Sequence, residues 1–170
     1  RAVADAAAVQ RDAAVAVHPD DLRYSALVGK MVDLPLSGRQ IPIVADAYVD
    51  MQFGSGAVKV TPAHDPNDYE LGRRHGLPQI NILNPDDTLN ASVPEAYRGL
   101  AVKQARERVV QDLKQAGLFL KEEKHRHAVG HCYRCHTVIE PSLSDQWFVR
   151  MRPLADKALA AWERGEVRFY

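Results

Sequence analysis

One stretch near the middle of the chain, residues 53–69, constrains the fold more than any other part of the sequence. It reads FGSGAVKVTPAHDPNDY, with two glycines followed by a short apolar run of period two. Because successive strand side chains point to opposite faces, Lys59 and Thr61 lie on one face of a predicted strand. The pair Asp65-Pro66 predicts a helix start, since aspartate caps free amides and proline suits the first helical position. We therefore expect a strand that leads directly into a capped helix, and we expect this helix to end at Gly76, a left-handed C-terminal cap.

The junction between this strand and this helix carries four side chains that form hydrogen bonds. Lys59 and Thr61 end the strand, Asp65 is the predicted cap, and Asp68 falls in the first helical turn. One interpretation is structural: the carboxylates cap the helix and complement its dipole, and the lysine is solvated. The other is a binding site for a ligand with an amine and a hydroxyl, because carboxylates accept hydrogen bonds from both.

The rest of the chain predicts several short strands and two further helices. Apart from the central strand, strands are predicted at residues 13–17, 31–36, 40–44, 79–83 and 146–151. One helix shows a single apolar face and ends at Gly117, and another begins at Pro153. A doubly wound parallel sheet needs a helix between its strands. The pattern therefore favours an α+β fold, a small twisted β-barrel-like sheet with flanking helices.

Length, composition and charge limit the possible classes of function. A chain of 170 residues with 46% apolar residues is large enough for one domain with its own core. The 22 basic and 22 acidic side chains balance, so the chain has no general positive field for a long duplex. No apolar run approaches the ~20 residues that span a bilayer, and no signal peptide is recognisable. We expect a cytoplasmic protein with no membrane partner.

The two cysteines of the chain stand in Cys-x-x-Cys spacing, at Cys132 and Cys135. This spacing suits half of a tetrahedral zinc site, because a tight turn lets two thiolates reach one ion. The other ligands would come from His127, from His136 or from outside this segment. A reduced cysteine pair in an ordinary turn is an equal alternative, and a redox dithiol is less favoured because no strand-to-helix turn is predicted there.

The amino-acid sequence of this central stretch resembles that of a known family. The run GSGAVKVTPAHDPNDYE resembles the signature of the editing domain inserted into valyl-tRNA synthetases, which are class I aminoacyl-tRNA synthetases. The runs VHPDD, IPIVAD, GHCYRCH and QWFVRM follow the order of the same family. The resemblance implies an editing domain at residues 13–145 and the start of the return to the aminoacylation domain at 146–170, and residues 1–12 form an atypical Ala-rich entry segment before them.

The resemblance also implies an activity and the residues that carry it. Such a domain hydrolyses the ester of mischarged threonyl-tRNA(Val), as an aminoacyl-tRNA deacylase. The resemblance assigns catalysis and reading of the threonine side chain to Lys59, Thr61 and Asp65. It assigns the α-ammonium to Asp68 and packing near the substrate to Phe53. No cofactor is required for editing, and zinc at the cysteine pair is a separate possibility.

The implied partners are the acceptor end of tRNA(Val), the threonyl ester of its terminal adenosine, and the rest of the synthetase chain. The sequence contains no element like the His-x-Gly-His or Lys-Met-Ser-Lys-Ser motifs of the synthetic site. We therefore expect that this chain does not activate an amino acid by itself.

The sequence departs from the family pattern at its beginning, where residues 5–8 read Asp-Ala-Ala-Ala in place of Arg-Pro-Glu-Thr. This departure keeps three hypotheses open. The chain is an editing hydrolase, or a non-catalytic tRNA-docking module with impaired hydrolysis, or a zinc-organised interaction domain in which the cysteine pair matters most.

Overall fold

The structure is a computed structural model that describes residues 10–121 and 128–168. The strands are β1 (Ala14–Val17), β2 (Met31–Leu34), β3 (Arg39–Ala45) and β4 (Ala57–Val60). The helices are α1 (Pro66–His75), α2 (Val102–Gln115) and α3 (Met151–Glu163), with short 3-10 turns at Ser25–Leu27 and Glu95–Tyr97. Among the described residues, no helix is long and apolar enough to cross a membrane.

The four strands form one mixed sheet in the order β2-β3-β1-β4. Strand β1 runs parallel to β3 and antiparallel to β4, and β2 pairs antiparallel with β3. The chain passes from β1 to its parallel neighbour through β2, without an intervening α-helix. These elements confirm the predicted α+β class. The sheet formed by the described residues is open, with β2 and β4 as its edges, and is not a closed barrel.

The sheet is buried on both faces, each against a different helix. One apolar cluster joins β1 and β4 to α1 through the following residues: Ala14, Ala16, Val49, Val60 and Leu71. The other joins the β2–β3 hairpin to α2 through these: Leu34, Ile41, Ile82, Leu83, Leu89, Val93, Tyr97, Ala105 and Val109. Burial of the two clusters stabilises the fold by roughly 25 cal/mol for each Å² of apolar surface that is removed from water. The cluster shared with α1 holds β4 through Val60, and with it the start of α1.

Helix α1 begins and ends at the predicted residues. Asp65 is its N-cap and Pro66 its first residue, and Gly76 ends it in the left-handed region with a φ of 62°. Gly72 lies against Pro62. The approach is so close that a Cβ at this glycine would stand 2.7 Å from the proline Cγ. This close approach allows α1 to pack directly on the segment that leaves β4.

Two predicted strands are wrong. Residues 79–83 form only an isolated bridge between Leu83 and Leu89, because side chains take the amide donors of this run. Leu83 N donates to Asn81 Oδ1 at 2.9 Å, and Ile82 N donates to His64 Nε2 at 3.5 Å. Residues 146–150 have no strand partner among the described residues, and residue 151 already belongs to α3. Helix α3 begins two residues before Pro153. Proline is tolerated at this position because the N–H groups of the first helical turn have no intrahelical partner.

The C-terminal end of α1 is joined to the sheet by a buried carboxylate. Asp46 follows β3 and accepts hydrogen bonds from Arg74 at 3.0 Å and from the Tyr48 amide at 2.9 Å. Its Oδ2 also lies 2.8 Å from Nε2 of His75. Burial tends to raise the pKa of Asp46, but the hydrogen bonds from Tyr48, His75 and Arg74 outweigh it, so the pKa lies below its ordinary value.

We predict that Asp46→Asn lowers the free energy of unfolding at pH 7 by about 1–3 kcal/mol, because the Tyr48 amide, Arg74 and His75 lose a charged acceptor that is itself buried. A carboxyl whose pKa is lowered by folding stabilises the fold above its unfolded pKa and loses this effect as the pH falls through its folded pKa. Denaturant titrations should therefore show the wild type and variant converging as the pH falls below about 4. The exposed Asp145→Asn is the control. An equal effect of both substitutions would contradict this role for Asp46.

Candidate functional site

The candidate site lies where β4 ends and α1 begins. Lys59 is the third residue of β4 and stands directly opposite Val15 of β1 in the antiparallel register. Thr61 follows the strand, and its side chain is only 1% exposed. Asp68 is in the first turn of α1 and is 6% exposed. The local strand-to-helix reversal places the end of one element beside the first turn of the next.

Three of the predicted site residues are joined by a chain of hydrogen bonds. Lys59 Nζ donates to Thr61 Oγ1 at 3.1 Å, and Thr61 Oγ1 donates to Asp68 Oδ2 at 2.9 Å. The backbone N–H of Thr61 donates to the same carboxylate oxygen at 2.8 Å. Lys59 Nζ stands 3.8 Å from Asp68 Oδ2 as an ion pair. We call these three residues the polar relay.

The polar relay has a defined direction of hydrogen bonding. The hydroxyl proton of Thr61 is directed to Asp68, so its oxygen offers only lone pairs to any other group. The Lys59 ammonium has three N–H donors and gives one of them to Thr61. The second oxygen of Asp68, Oδ1, accepts no hydrogen bond from the described residues. The relay thus leaves further N–H donors on Lys59 and the Oδ1 acceptor on Asp68, while Thr61 is buried and none of the three residues lines the cleft described below.

Asp65 is near the polar relay but has a different function in the fold. Its Oδ1 accepts hydrogen bonds from the amides of Asn67 at 2.8 Å and Asp68 at 3.2 Å, as the N-cap of α1. Asp65 also lines a cleft of about 350 Å³ beside the helix. The other residues that line this cleft are Ala63, His64, Pro66, Tyr69, Glu70, Pro141, Ser142 and Leu143. The predicted reading of a substrate by Asp65 stays a prediction.

Phe53 lies on the loop before β4, where its side chain is 70% exposed. The loop itself is tied to the 3-10 region that follows β1. Tyr24 Oη donates to the carbonyl of Ser55 at 2.8 Å. Arg23 Nη2 donates to the carbonyl of Met51 at 2.9 Å and to Asp21 Oδ2 at 2.6 Å. The backbone of this loop is therefore anchored while the predicted substrate-packing ring faces solvent.

His64 connects three segments behind the site. Its Nδ1 lies 2.8 Å from the carbonyl of Pro141, and its Nε2 accepts a hydrogen bond from the amide of Ile82. These partners place the proton on Nδ1. Burial lowers the pKa of His64, although the hydrogen bond to the Pro141 carbonyl opposes this effect. A neutral histidine engaged at both ring nitrogens supports the walls of the cleft.

Asp12 is a buried residue near the site that the sequence did not predict. It lies two residues before β1 and is only 4% exposed, and its Oδ1 has no hydrogen-bond partner among the described residues. Burial raises the pKa of Asp12 to about 7, and the charge of Lys59 is the strongest of the effects that oppose the shift. The sequence signal that could have indicated Asp12 is an acidic residue that stands just before an apolar strand.

The two predicted metal ligands share one turn. Cys132 N donates to the carbonyl of Thr137, and His136 N donates to the carbonyl of Cys132, each at 2.8 Å. A hydrogen bond with Thr137 lowers the pKa of the Cys135 thiol, with a smaller contribution from Cys132. No group of three or more potential metal ligands occurs among the described residues. His127 lies outside those residues.

Comparison with known proteins assigns the family. The family model described as "Leucyl-tRNA synthetase, editing domain" matches residues 11–117, which is more than half of the chain. The chain belongs to the editing-domain family of the aminoacyl-tRNA synthetases. This result confirms the resemblance found in residues 53–69. The polar relay and its supporting loop all lie within the matched range.

Several curated relatives of this editing domain are valine–tRNA ligases. The chain is 63% identical to that of Treponema denticola over 159 residues, which are 94% of the chain and 18% of the relative. It is 58% identical to that of Treponema pallidum, with 94% and 17% covered. It is 57% identical to that of Thermotoga maritima, with 94% and 18% covered. The chain thus spans about a fifth of the length of these relatives, and the predicted division at residues 12 and 145 stays a prediction.

We predict that Gly56→Ala destabilises the editing domain more than Gly54→Ala. Both glycines have a positive φ, 73° and 59°, so each alanine carries a conformational cost of about 1–2 kcal/mol. A Cβ at Gly56 would also meet the anchored Arg23 side chain and stand 3.0 Å from the carbonyl of Met51. No atom lies within 4 Å of a Cβ at Gly54. Crowding should add about 1–3 kcal/mol at Gly56, measured by denaturant unfolding. Equal losses would show that the Arg23 anchor is not rigid.

Proposed function

We propose that this editing domain hydrolyses the ester that joins threonine to the terminal adenosine of tRNA(Val). The observation that carries the proposal is the polar relay of Lys59, Thr61 and Asp68, which joins an ammonium, a hydroxyl and a carboxylate. The family match and the valine–tRNA ligase relatives support it. The proposed partners are the acceptor end of tRNA(Val) and the rest of a synthetase chain, in the cytoplasm.

The need for such a site follows from the shapes of two amino acids. Threonine and valine have nearly the same shape, and an apolar pocket cannot strongly reject an added hydroxyl; valyl-tRNA synthetase is a standard example of this problem. A polar pocket has the opposite preference, because it binds threonine better than valine. Its donors and acceptors lose their hydrogen bonds to water when valine fills the site, at a cost of about 1–3 kcal/mol for each unpaired group.

The polar relay offers a partner for each polar group of threonine. A free N–H of Lys59 donates to the substrate hydroxyl oxygen, and the oxygen of Thr61 accepts the hydroxyl proton. Oδ1 of Asp68 accepts from the α-ammonium. Phe53, exposed on the anchored loop, packs near the substrate and reduces its own exposed apolar surface. These roles follow the directions of the hydrogen bonds within the relay.

The proposed reaction is a hydrolysis that needs no cofactor. A water oxygen adds to the ester carbonyl carbon, and positioned donors stabilise the negative charge that develops on the carbonyl oxygen. The C–O bond to the ribose then breaks, and a proton from the water passes to the ribose oxygen. The products are threonine and a tRNA with a free terminal hydroxyl. Catalysis by Lys59, Thr61 and Asp65 is part of this proposal.

The calorimetric prediction concerns discrimination between two analogues. A hydrolysis-resistant threonyl-adenosine analogue should bind at least about fivefold more tightly than the valyl analogue, since one unpaired buried group costs ~1 kcal/mol or more. Thr61→Val should reduce this ratio, and Thr61→Ser, which keeps the hydroxyl, should preserve it. Equal affinities of the wild type for both analogues would argue against the proposed site.

Turnover distinguishes the hydrolase from a docking module that binds without hydrolysis. The assay measures release of threonine from mischarged threonyl-tRNA(Val), with valyl-tRNA(Val) as the matched control. Faster release of threonine supports the hydrolase. Binding of the threonyl analogue without turnover would assign the chain to the docking class, which the altered residues 5–8 favour.

A zinc site at the cysteine turn is a second proposal, independent of the first. Cys132 and Cys135 occupy one turn, and the lowered pKa of Cys135 favours the thiolate that binds metal. The remaining ligands would be His127 or residues of a longer synthetase chain, because His136 forms no three-ligand group with the two cysteines among the described residues. We predict about one zinc per chain by elemental analysis of the purified protein, and loss of that zinc in Cys132→Ser. A metal-free protein with a stable fold would contradict this proposal.

A further inference from the structure

One wall of the cleft beside Asp65 comes from residues 141–143, which follow the cysteine turn. This wall lies outside the range 11–117 that the family model matches. We call residues 140–143 the strap. The strap begins where the cysteine turn is closed by a hydrogen bond from the N–H of Ile139 to the carbonyl of Gly130 at 2.9 Å. It then runs beside the start of α1, where it lines the cleft.

The backbone of the strap has no partner in the sheet or in a helix. Within the described ranges 10–121 and 128–168, no hydrogen bond joins a backbone group of residues 140–149 to another backbone group. The side chain of Leu143 is 44% exposed, so apolar packing of the strap is also incomplete. Contacts with side chains of the core therefore hold the strap in place.

Two side chains of the core contact neighbouring residues of the strap. Arg106 Nη2 of α2 donates to Oε1 of Glu140 at 3.0 Å, and Nδ1 of His64 lies 2.8 Å from the carbonyl oxygen of Pro141. The Arg106 side chain is 39% exposed, whereas His64 is 6% exposed. Water and salt weaken an exposed ion pair, but they compete little with a buried hydrogen bond. The contact with His64 is therefore the stronger of the two.

The core fixes the ring of His64 in the orientation that this contact needs. The backbone N–H of His64 donates to the carbonyl of Thr61 at 3.0 Å, and its Nε2 accepts from the N–H of Ile82 at 3.5 Å. Burial lowers the pKa of His64 against the opposing effect of the Pro141 carbonyl, so the ring is neutral and carries one proton. With Nε2 as an acceptor, that proton is on Nδ1 and is donated to the strap.

We propose that His64 is a positioning residue that holds the strap beside the start of α1, and that release of its hydrogen bond to Pro141 opens the cleft beside Asp65. In the held state, the strap lines the cleft together with residues of α1. In the released state, this wall moves away while the polar relay stays in place, because hydrogen bonds between the end of β4 and α1 hold the relay. The consequence for access of an ester substrate rests on the proposed function, whereas the hold of His64 on the strap does not.

The test compares two variants of His64 by ¹⁵N relaxation of the free protein. In His64→Asn, the side-chain N–H₂ is bonded to Cγ, as Nδ1 is in histidine, so a donor to the strap remains. The order parameters of the Ser142 and Leu143 amides should stay near the rigid-backbone value of ~0.85, as in the wild type. His64→Leu has no donor and should lower them below about 0.6. Equal order parameters in the two variants, or a flexible strap in the wild type, would overturn the proposal.

The amides of Tyr133 and Arg134 in the cysteine turn are the internal control. Their order parameters should be the same in His64→Leu and in the wild type, because the turn is closed by its own hydrogen bonds. An equal loss of order in the turn and in the strap would show general loosening and would overturn a specific hold on the strap.

A measurement on the wild type keeps the proposal testable if His64→Leu does not fold. The ¹⁵N resonances of the His64 ring distinguish its two neutral tautomers, and the proposal predicts a proton on Nδ1 and none on Nε2. A proton on Nε2 alone would leave Nδ1 with no hydrogen to donate to Pro141 and would overturn the proposal. These measurements contain no substrate, so an absence of hydrolysis would count against the proposed function and not against this inference.

Discussion

The two hydrogen bonds that Thr61 gives to one oxygen of Asp68 are the interaction on which the site depends. They join the backbone and the hydroxyl of a residue at the end of β4 to a carboxylate in the first turn of α1. Hydrogen bonds to a charged acceptor are each worth about 1.5–3 kcal/mol, and the loss of either partner would leave a buried group unsatisfied. Because both groups are buried, this contact fixes the angle at which the helix leaves the strand and the direction in which Thr61 Oγ1 points.

The rest of the fold holds this contact in place from several sides. The apolar cluster of β1, β4 and α1 holds β4 through Val60, and the salt bridge of Asp46 with Arg74 ties the far end of α1 to the end of β3. Gly72 allows α1 to lie against Pro62, next to Thr61. The helix is thus fixed at its first turn, its middle and its last turn. A support of this kind keeps the polar side chains of the relay in one arrangement.

Local sequence signals predicted the elements of the site because those elements are specified locally. The cap Asp65, the following proline and Gly76 bound α1 through their own backbone conformations, which depend little on the rest of the chain. The period-two pattern placed Lys59 and Thr61 on one face, and the hydrogen bond between their side chains agrees with it. The apolar face of α2 was equally visible, with Ala105 and Val109 buried.

Features that depend on distant partners were not visible in the sequence. The predicted strand at residues 79–83 fails because His64 and Asn81 take its amide donors, and the first of these partners comes from the loop before α1. Asp12 acquires its raised pKa from burial beside β4, which no local pattern indicates. Asp65 is the N-cap of α1 that the sequence predicted, and its expected reading of a substrate stays a prediction.

The central claim is that the polar relay is a cradle for an amino acid that carries a hydroxyl. The most direct test is a crystal structure with the hydrolysis-resistant threonyl-adenosine analogue bound. The account predicts the threonine hydroxyl within about 3.2 Å of Lys59 Nζ or Thr61 Oγ1, with the α-ammonium facing Asp68. An analogue bound with its amino acid elsewhere, for example in the cleft beside Pro141 and Leu143, would contradict it.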